Sequence, residues 1–189
     1  MAIETPRYET IKQDGKFSIR KYSATIQASV IIPANDLNQA SSTAFGLLAG
    51  YIFGDNKAKG KIAMTAPVAA EQVSEQIAMT APVDTTKTSG RSYKVSFTMP
   101  SKYSMETLPK PNNESVKIEK HPSHTMAAIS FSGYTTSDMI SDKTELLQKW
   151  AKTNGIAILG QPVVSRYDAP WKPGFLRHNE VSFRVKTSQ

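Results

Sequence analysis

Residues 17–53 read FSIRKYSATIQASVIIPANDLNQASSTAFGLLAGYIF, and the change of period inside this stretch decides the fold. Up to Pro33 the side chains alternate: Phe17, Ile19 and Lys21 share one face of an extended chain, Ser18, Arg20 and Tyr22 the other. Ala24–Ile32 continues with β-branched residues until Pro33 ends the strand. From Asp36 to Phe53 the apolar positions Leu37, Ala40, Ala44, Leu47, Leu48, Tyr51 and Ile52 return at helical spacing, with Asp36 placed as N-cap and Gly54 as C-cap. Upstream, Tyr8–Gln13 meets Phe17–Tyr22 across Asp14-Gly15, a dipeptide suited to a tight hairpin. The unit is strand, strand, helix.

The same order recurs. The phrase IAMTAPV stands twice, at 62–68 and 77–83, and Tyr93–Met99 alternates as a strand. A proline-rich connector, MPSKYSMETLPKPNNES, leads into strands at Val116–Lys120 and Thr125–Phe131, a helix over Ser137–Thr153, and strands at Val163–Tyr167 and Val181–Val185. Two halves, about 1–100 and 101–189, thus each run strand, strand, helix, strand, strand within one domain. Hairpins supply antiparallel pairing and each helix covers a sheet face, so a pseudo-duplicated α+β barrel or sandwich is more economical than a parallel α/β sheet. The doubled phrase reads as a paired structural element that also lines a cleft, the second copy at Ile77–Val83 being a strand-pairing neighbour or an extension of the loop before it.

Composition narrows the chemistry. A chain of 189 residues buries roughly 70% of its unfolded surface and needs no covalent staple. It contains no cysteine, which removes disulfides, thiolate metal sites and cysteine nucleophiles. The N-terminal stretch is polar and charged, without the apolar core of a secretory signal, and no apolar run approaches the ~20 residues of a membrane span; a cytoplasmic protein is expected. The net charge of +7 favours anionic partners, but the basic residues are scattered apart from Lys57, Lys59 and Lys61, so a nucleic-acid groove is not expected. Hydrolase, P-loop and dinucleotide motifs are absent and no carboxylate pair stands out by spacing, so the chain reads as a non-enzyme.

Taken in order, YETIKQDGKFSIRKY, NKAKGKIAMTAPV, FTMPSKYSMETLPKPNNESVKI, ISFSGYTT and YDAPWKPGFLRHNEV resemble the SOUL haem-binding protein family over nearly the whole chain. The resemblance implies an antiparallel distorted barrel with two flanking helices and internal pseudo-symmetry, similar to the effector-binding domains of bacterial regulators. It also implies binding of haem or a related tetrapyrrole in an apolar cleft beside one helix, as a buffer, carrier or presenter of haem. The proposed axial histidine of one relative precedes the tyrosine of its IRxY motif, where this chain has Lys21.

Haem is a flat apolar disc with two carboxylates, so its site needs apolar walls and cations at the mouth. Lys57, Lys59 and Lys61 followed by Ile62, Met64 and Val68 bring both together, and Met64 leads as a wall because an unbranched thioether adapts to flat ligands. Filling an irregular core is the alternative use of that methionine, and more so of Met79. Phe45 and Leu48 on the first helix are placed to close the pocket, and Arg177 or Lys172 to meet propionates. In YDAPWKPGFLRHNEV the aromatics read as anchors of a long loop, with Arg177 and Glu180 or Asn179 bonding to free backbone groups. His121, His124 and His178 are the weak candidates for iron or another metal. Two other readings remain open: a sensor module for other flat apolar anions, and a hydrolase using a cleft carboxylate.

Overall fold

A computed structural model describes residues 3–59, 74–169 and 171–186. The strands are β1 (Tyr8–Asp14), β2 (Phe17–Tyr22), β3 (Thr25–Pro33), β4 (Asn56–Lys57), β5 (Val83–Lys87), β6 (Ser92–Thr98), β7 (Lys110–Pro111), β8 (Lys117–His121), β9 (His124–Ser132), β10 (Ile158–Arg166) and β11 (His178–Val185). The helices are α1 (Leu37–Ile52) and α2 (Ser137–Thr153), with one 3-10 turn at Gly174–Leu176. Both helices begin where the sequence places them: the Asp36 side chain accepts from the Gln39 N–H and that of Thr136 from the Met139 N–H. Gly54, at φ +121°, follows α1 in a conformation that glycine adopts without strain.

Nine strands form one antiparallel sheet in the order β1-β2-β9-β11-β10-β5-β6-β3-β8, curled into a half-barrel; β4 and β7 pair separately. Leaving out the edge strand β1, the order is a palindrome of the two halves: β2 answers β8, β9 answers β3, β11 answers β6, and β10 meets β5 on the pseudo-axis. Each half gives its first strand to the other, since β2 pairs with β9 and β3 with β8. The repeat read from sequence is therefore interleaved.

Alternation makes the sheet two-sided. On the convex face Ala28, Val30, Val95 and Phe97 pack beneath Ala44, Leu48 and Tyr51 of α1, and Ala127, Ile129, Val181 and Phe183 pack beneath Leu147 of α2. The connector contributes to the first core through Met99, Leu108 and Val116. The opposite, concave face carries the other register of side chains and is polar.

Three expectations change. The second IAMTAPV copy is not a paired strand: within Ile77–Val83 only an isolated bridge between Thr80 and Glu4 and the start of β5 at Val83 are extended. Its backbone is used otherwise, the Ile77 N–H reaching Ile52 O and the Ala81 N–H reaching Glu4 O, while Pro82 has no N–H to give. The first copy, at 62–68, lies outside the described residues. Trp171 and Phe175 do not anchor their loop but are 86% and 75% exposed. Finally, β10 starts at Ile158, earlier than its apolar run suggests, and its register with β11 shifts between Leu159 and Val163 around Gly160 at φ +70°.

Leu147 is wholly enclosed under α2. Leu147→Ala should lower unfolding free energy by about 2–5 kcal/mol in a urea titration, because the cavity left behind is only partly refilled; a loss below about 1 kcal/mol would mean that the α2 core is loosely packed.

Candidate functional site

The concave face gathers residues from eight strands of the sheet around a cavity of about 230 Å³. Register explains its composition. One rung of facing residues runs Ser130 (β9), Glu180 (β11), Ser165 (β10), Asp84 (β5), Ser96 (β6) and Ser29 (β3). Two carboxylates therefore sit two strands apart, roughly 10 Å by strand spacing, with a serine between them.

Glu180 is 3% exposed and pairs with Arg20 through both oxygens, at 2.9 and 3.0 Å. Tyr167 Oη and Ser130 Oγ each donate to it at 2.8 Å, and His178 Nε2 lies at 3.3 Å. Burial alone would raise its pKa, but the hydrogen bonds from His178, Arg20 and Ser130 and the charge of Arg20 prevail and hold it at about 2. The same pair keeps Arg20 protonated despite its own burial. Arg20 also lies over the Tyr8 ring at 4.7 Å.

Asp84 is in the opposite condition. Ser165 Oγ donates to Oδ1 at 2.6 Å, no ion pair is formed with a described residue, and burial, reinforced by the negative charge of Glu180, pushes its pKa to about 7. Tyr22 and Tyr167, both lining the cavity, are likewise raised by burial, Tyr22 to about 12. His121 is lowered, first by burial and then by the charge of Lys94, so its imidazole is neutral near pH 7. A second cavity of about 520 Å³ shares Pro6, Thr25, Thr98 and His121 with the first and extends toward Tyr103 and Met105.

The sequence-predicted site residues lie elsewhere. Leu48 is completely enclosed in the α1 core and offers no surface to a ligand, because it points at the sheet. Phe45, 39% exposed, meets Phe97 edge-on from the same helix. Lys57 is exposed, and Lys59 donates to Met105 O at 2.8 Å. Lys61, Ile62, Met64 and Val68 are outside the described residues. Arg177 is engaged elsewhere: its Nε donates to Lys172 O and its guanidinium lies over Tyr134. Lys172 pairs with Asp168. His121 and His124 line the concave cavity and His178 stands beside Glu180 and Tyr167, yet no group of three metal-ligating side chains forms among the described residues. Asn179 does bond a backbone carbonyl, that of Gly133, as the loop reading expects, whereas Glu180 is spent on side chains.

The convex side offers a different surface. The sequence of α1 contains no charged residue, and on its outward face Ser42, Phe45 and Gly46 are exposed, while Ala49 is buried; Phe53, just past the helix, is 58% exposed. A Cβ added to Gly46 would meet nothing within 4 Å, so this position is open. The helix leads directly into Lys57 and Lys59.

A curled antiparallel sheet with two helices on its convex side is the fold of regulator effector-binding domains. The C-terminal domain of EcmrR is similar, with a TM-score of 0.63 at 14% identity over 96% of this chain and 99% of that one. A protein from Listeria innocua described as a hydrolase has a TM-score of 0.58 at 12% identity, over 93% and 94% of the two chains. The chain belongs to the SOUL heme-binding protein family, whose model matches residues 3–184. Heme-binding protein 2 of Homo sapiens is 26% identical over 186 residues, covering 95% of this chain and 85% of the relative; the Mus musculus protein is 27% identical over the same shares.

The two carboxylates give stability opposite pH dependences. Glu180 has a folded value below its ordinary 4.5, so its contribution is complete above that pH and lost as pH falls toward 2. Asp84 has a folded value above its ordinary 3.8, so its contribution is present below that pH and lost as pH rises through 7. Asp84→Asn should therefore flatten the decline in unfolding free energy between about pH 4 and 7. Arg20→Met should cost about 3–5 kcal/mol at neutral pH by leaving Glu180 buried and unpaired. Urea midpoints measured across pH check both, and a wild-type slope matched by Asp84→Asn contradicts the account of Asp84.

Proposed function

We propose that this protein binds haem or a related tetrapyrrole on the outward face of α1 and serves as a non-enzymatic carrier or buffer of it. The observation that carries the reading is the absence of charge in the α1 sequence, together with the open position at Gly46 beside the exposed rings of Phe45 and Phe53. A porphyrin plane gains contact on such a surface without desolvating any ion. Lys57 and Lys59, which follow the helix and are exposed, are the cations for the propionates. Leu48 supports Phe97 from within and does not touch the ligand.

The described residues fit the disc and its carboxylates better than they fit a histidine-ligated iron. All three histidines belong to the concave side, while α1 and the residues around its C-terminal end offer a thioether in Met79, 37% exposed, on the segment whose Ile77 N–H caps Ile52 O. The porphyrin ring, when haem is bound, supplies the Soret absorption by which binding is followed. Membership of the family and the names of the mammalian relatives support haem as the ligand.

Haemin titration should give a saturable Soret change. Gly46→Glu places a carboxylate at the open position, and because glycine is a poor helix residue the substitution leaves folding intact or strengthens it. Affinity should fall at least tenfold in Gly46→Glu and remain within about twofold in His121→Ala, each 1.4 kcal/mol being a factor of ten. Equal affinity of Gly46→Glu and wild type, or loss on His121→Ala, would overturn the α1 site.

A further inference from the structure

The concave cavity is unexplained by tetrapyrrole binding on the other side of the sheet, and it contains polar groups that the fold itself does not satisfy. Thr98 is 6% exposed, lines both cavities, and its Oγ1 has no hydrogen-bond partner among the described residues; His121 Nε2 is the same. Buried hydroxyl and imidazole groups in folded proteins nearly always have a partner, so these two mark a place where a guest supplies it.

The charges choose the kind of guest. Arg20 is matched by Glu180 and Lys94 by Glu119 at 2.7 Å, and Arg184 lies at the exposed rim. Among the described residues, Asp84 remains as the carboxylate lining the cavity without a cation, bonded to Ser165 on one oxygen. Around it stand the rings of Tyr22 and Tyr167 and the apolar side chains of Pro82, Met126 and Val163. A carboxylate set among aromatic faces and apolar walls suits an organic ammonium: the charge meets Asp84 and the ring faces, and the body lies against the apolar walls.

Size and spacing sharpen this. An apolar cavity of about 150 Å³ holds benzene, so the space here takes about ten non-hydrogen atoms. Asp84 faces Ser96 directly, which puts Thr98 at the diagonal position, about 7–8 Å away. We propose that the concave cavity is a second ligand site, separate from the α1 face, for a small aromatic or aliphatic ammonium compound. Its charged end meets Asp84, and a hydroxyl or carbonyl at its far end meets Thr98 and His121.

Tyramine has this length, charge and terminal hydroxyl and serves as the probe, with 4-ethylphenol and 4-hydroxyphenylacetate as its neutral and anionic counterparts. Calorimetry or ligand-observed NMR on the wild-type protein should show saturable tyramine binding with a Kd on the order of 0.1–1 mM. Both counterparts should bind at least tenfold more weakly. Asp84→Asn should lose at least tenfold in tyramine affinity, and Thr98→Val several-fold. The ligand series on the unaltered protein decides the matter even if a variant folds poorly. Prior saturation with haemin should leave tyramine affinity unchanged. No saturation by 10 mM tyramine, equal binding of 4-hydroxyphenylacetate, an unaffected Asp84→Asn variant that retains wild-type circular dichroism, or competition with haemin would each overturn the proposal.

Discussion

The ion pair between Arg20 on β2 and Glu180 on β11 is the constraint around which the molecule is arranged. It joins residues 160 apart in the chain across β9, and so holds the exchange by which the first strand of one half enters the sheet of the other. A buried pair of this kind is costly to desolvate and gains its return from geometry, here a bidentate contact with Tyr167 and Ser130 satisfying the remaining lone pairs. It also fixes which face of the sheet is polar. With Arg20 turned inward, Phe17 and Ile19 must turn toward α2, and the rest of the alternation follows.

Two chemically distinct faces result. The convex one buries its apolar residues under α1 and α2, and α1 then presents an uncharged outer surface that the charged α2 lacks. The concave one holds paired charges, serines and tyrosines about a cavity in which, among the described residues, Asp84 is hydrogen-bonded to a serine and has no ion-pair partner. A carboxylate whose pKa burial raises and another held ionised, roughly 10 Å apart, differ because Glu180 gained hydrogen bonds from His178, Arg20 and Ser130 and the charge of Arg20, while Asp84 is bonded to Ser165. The two-fold arrangement accounts for this asymmetry: Ser96 occupies on β6 the place that Glu180 holds on β11.

Local signals were readable in the chain where the physics is local. The hairpin at Asp14-Gly15, the Asp36 cap and both helix spans depend on residues within a few positions of one another, and they stand where the periodicity puts them. Strand exchange between the halves is a long-range choice and leaves no mark in any window. The concave site was missed for a related reason. Its residues come singly from many strands, so Asp84, Thr98 and Glu180 each look like an outward-facing polar residue of a half-exposed strand, although Thr98 and Glu180 are buried. The usable clue was repetition, since Ser18-Arg20-Tyr22, Lys94-Ser96-Thr98 and Glu180-Ser182-Arg184 all place polar groups on the same alternate positions. The doubled IAMTAPV misled because identical phrases suggested pairing, whereas Pro82 and the contacts of Ile77 and Ala81 hold the second copy out of the sheet. Leu48 misled because helical periodicity identifies a face without saying whether it turns toward the core or a ligand.

That the sheet separates a tetrapyrrole face from a polar face is tested most directly by residue-resolved NMR during haemin addition. The account predicts that broadening by the iron is strongest at backbone amides of residues 42–53 on α1, with those of Asp84, Tyr167 and Glu180 retained. Broadening centred on β5, β10 and β11, with α1 unaffected, would contradict it.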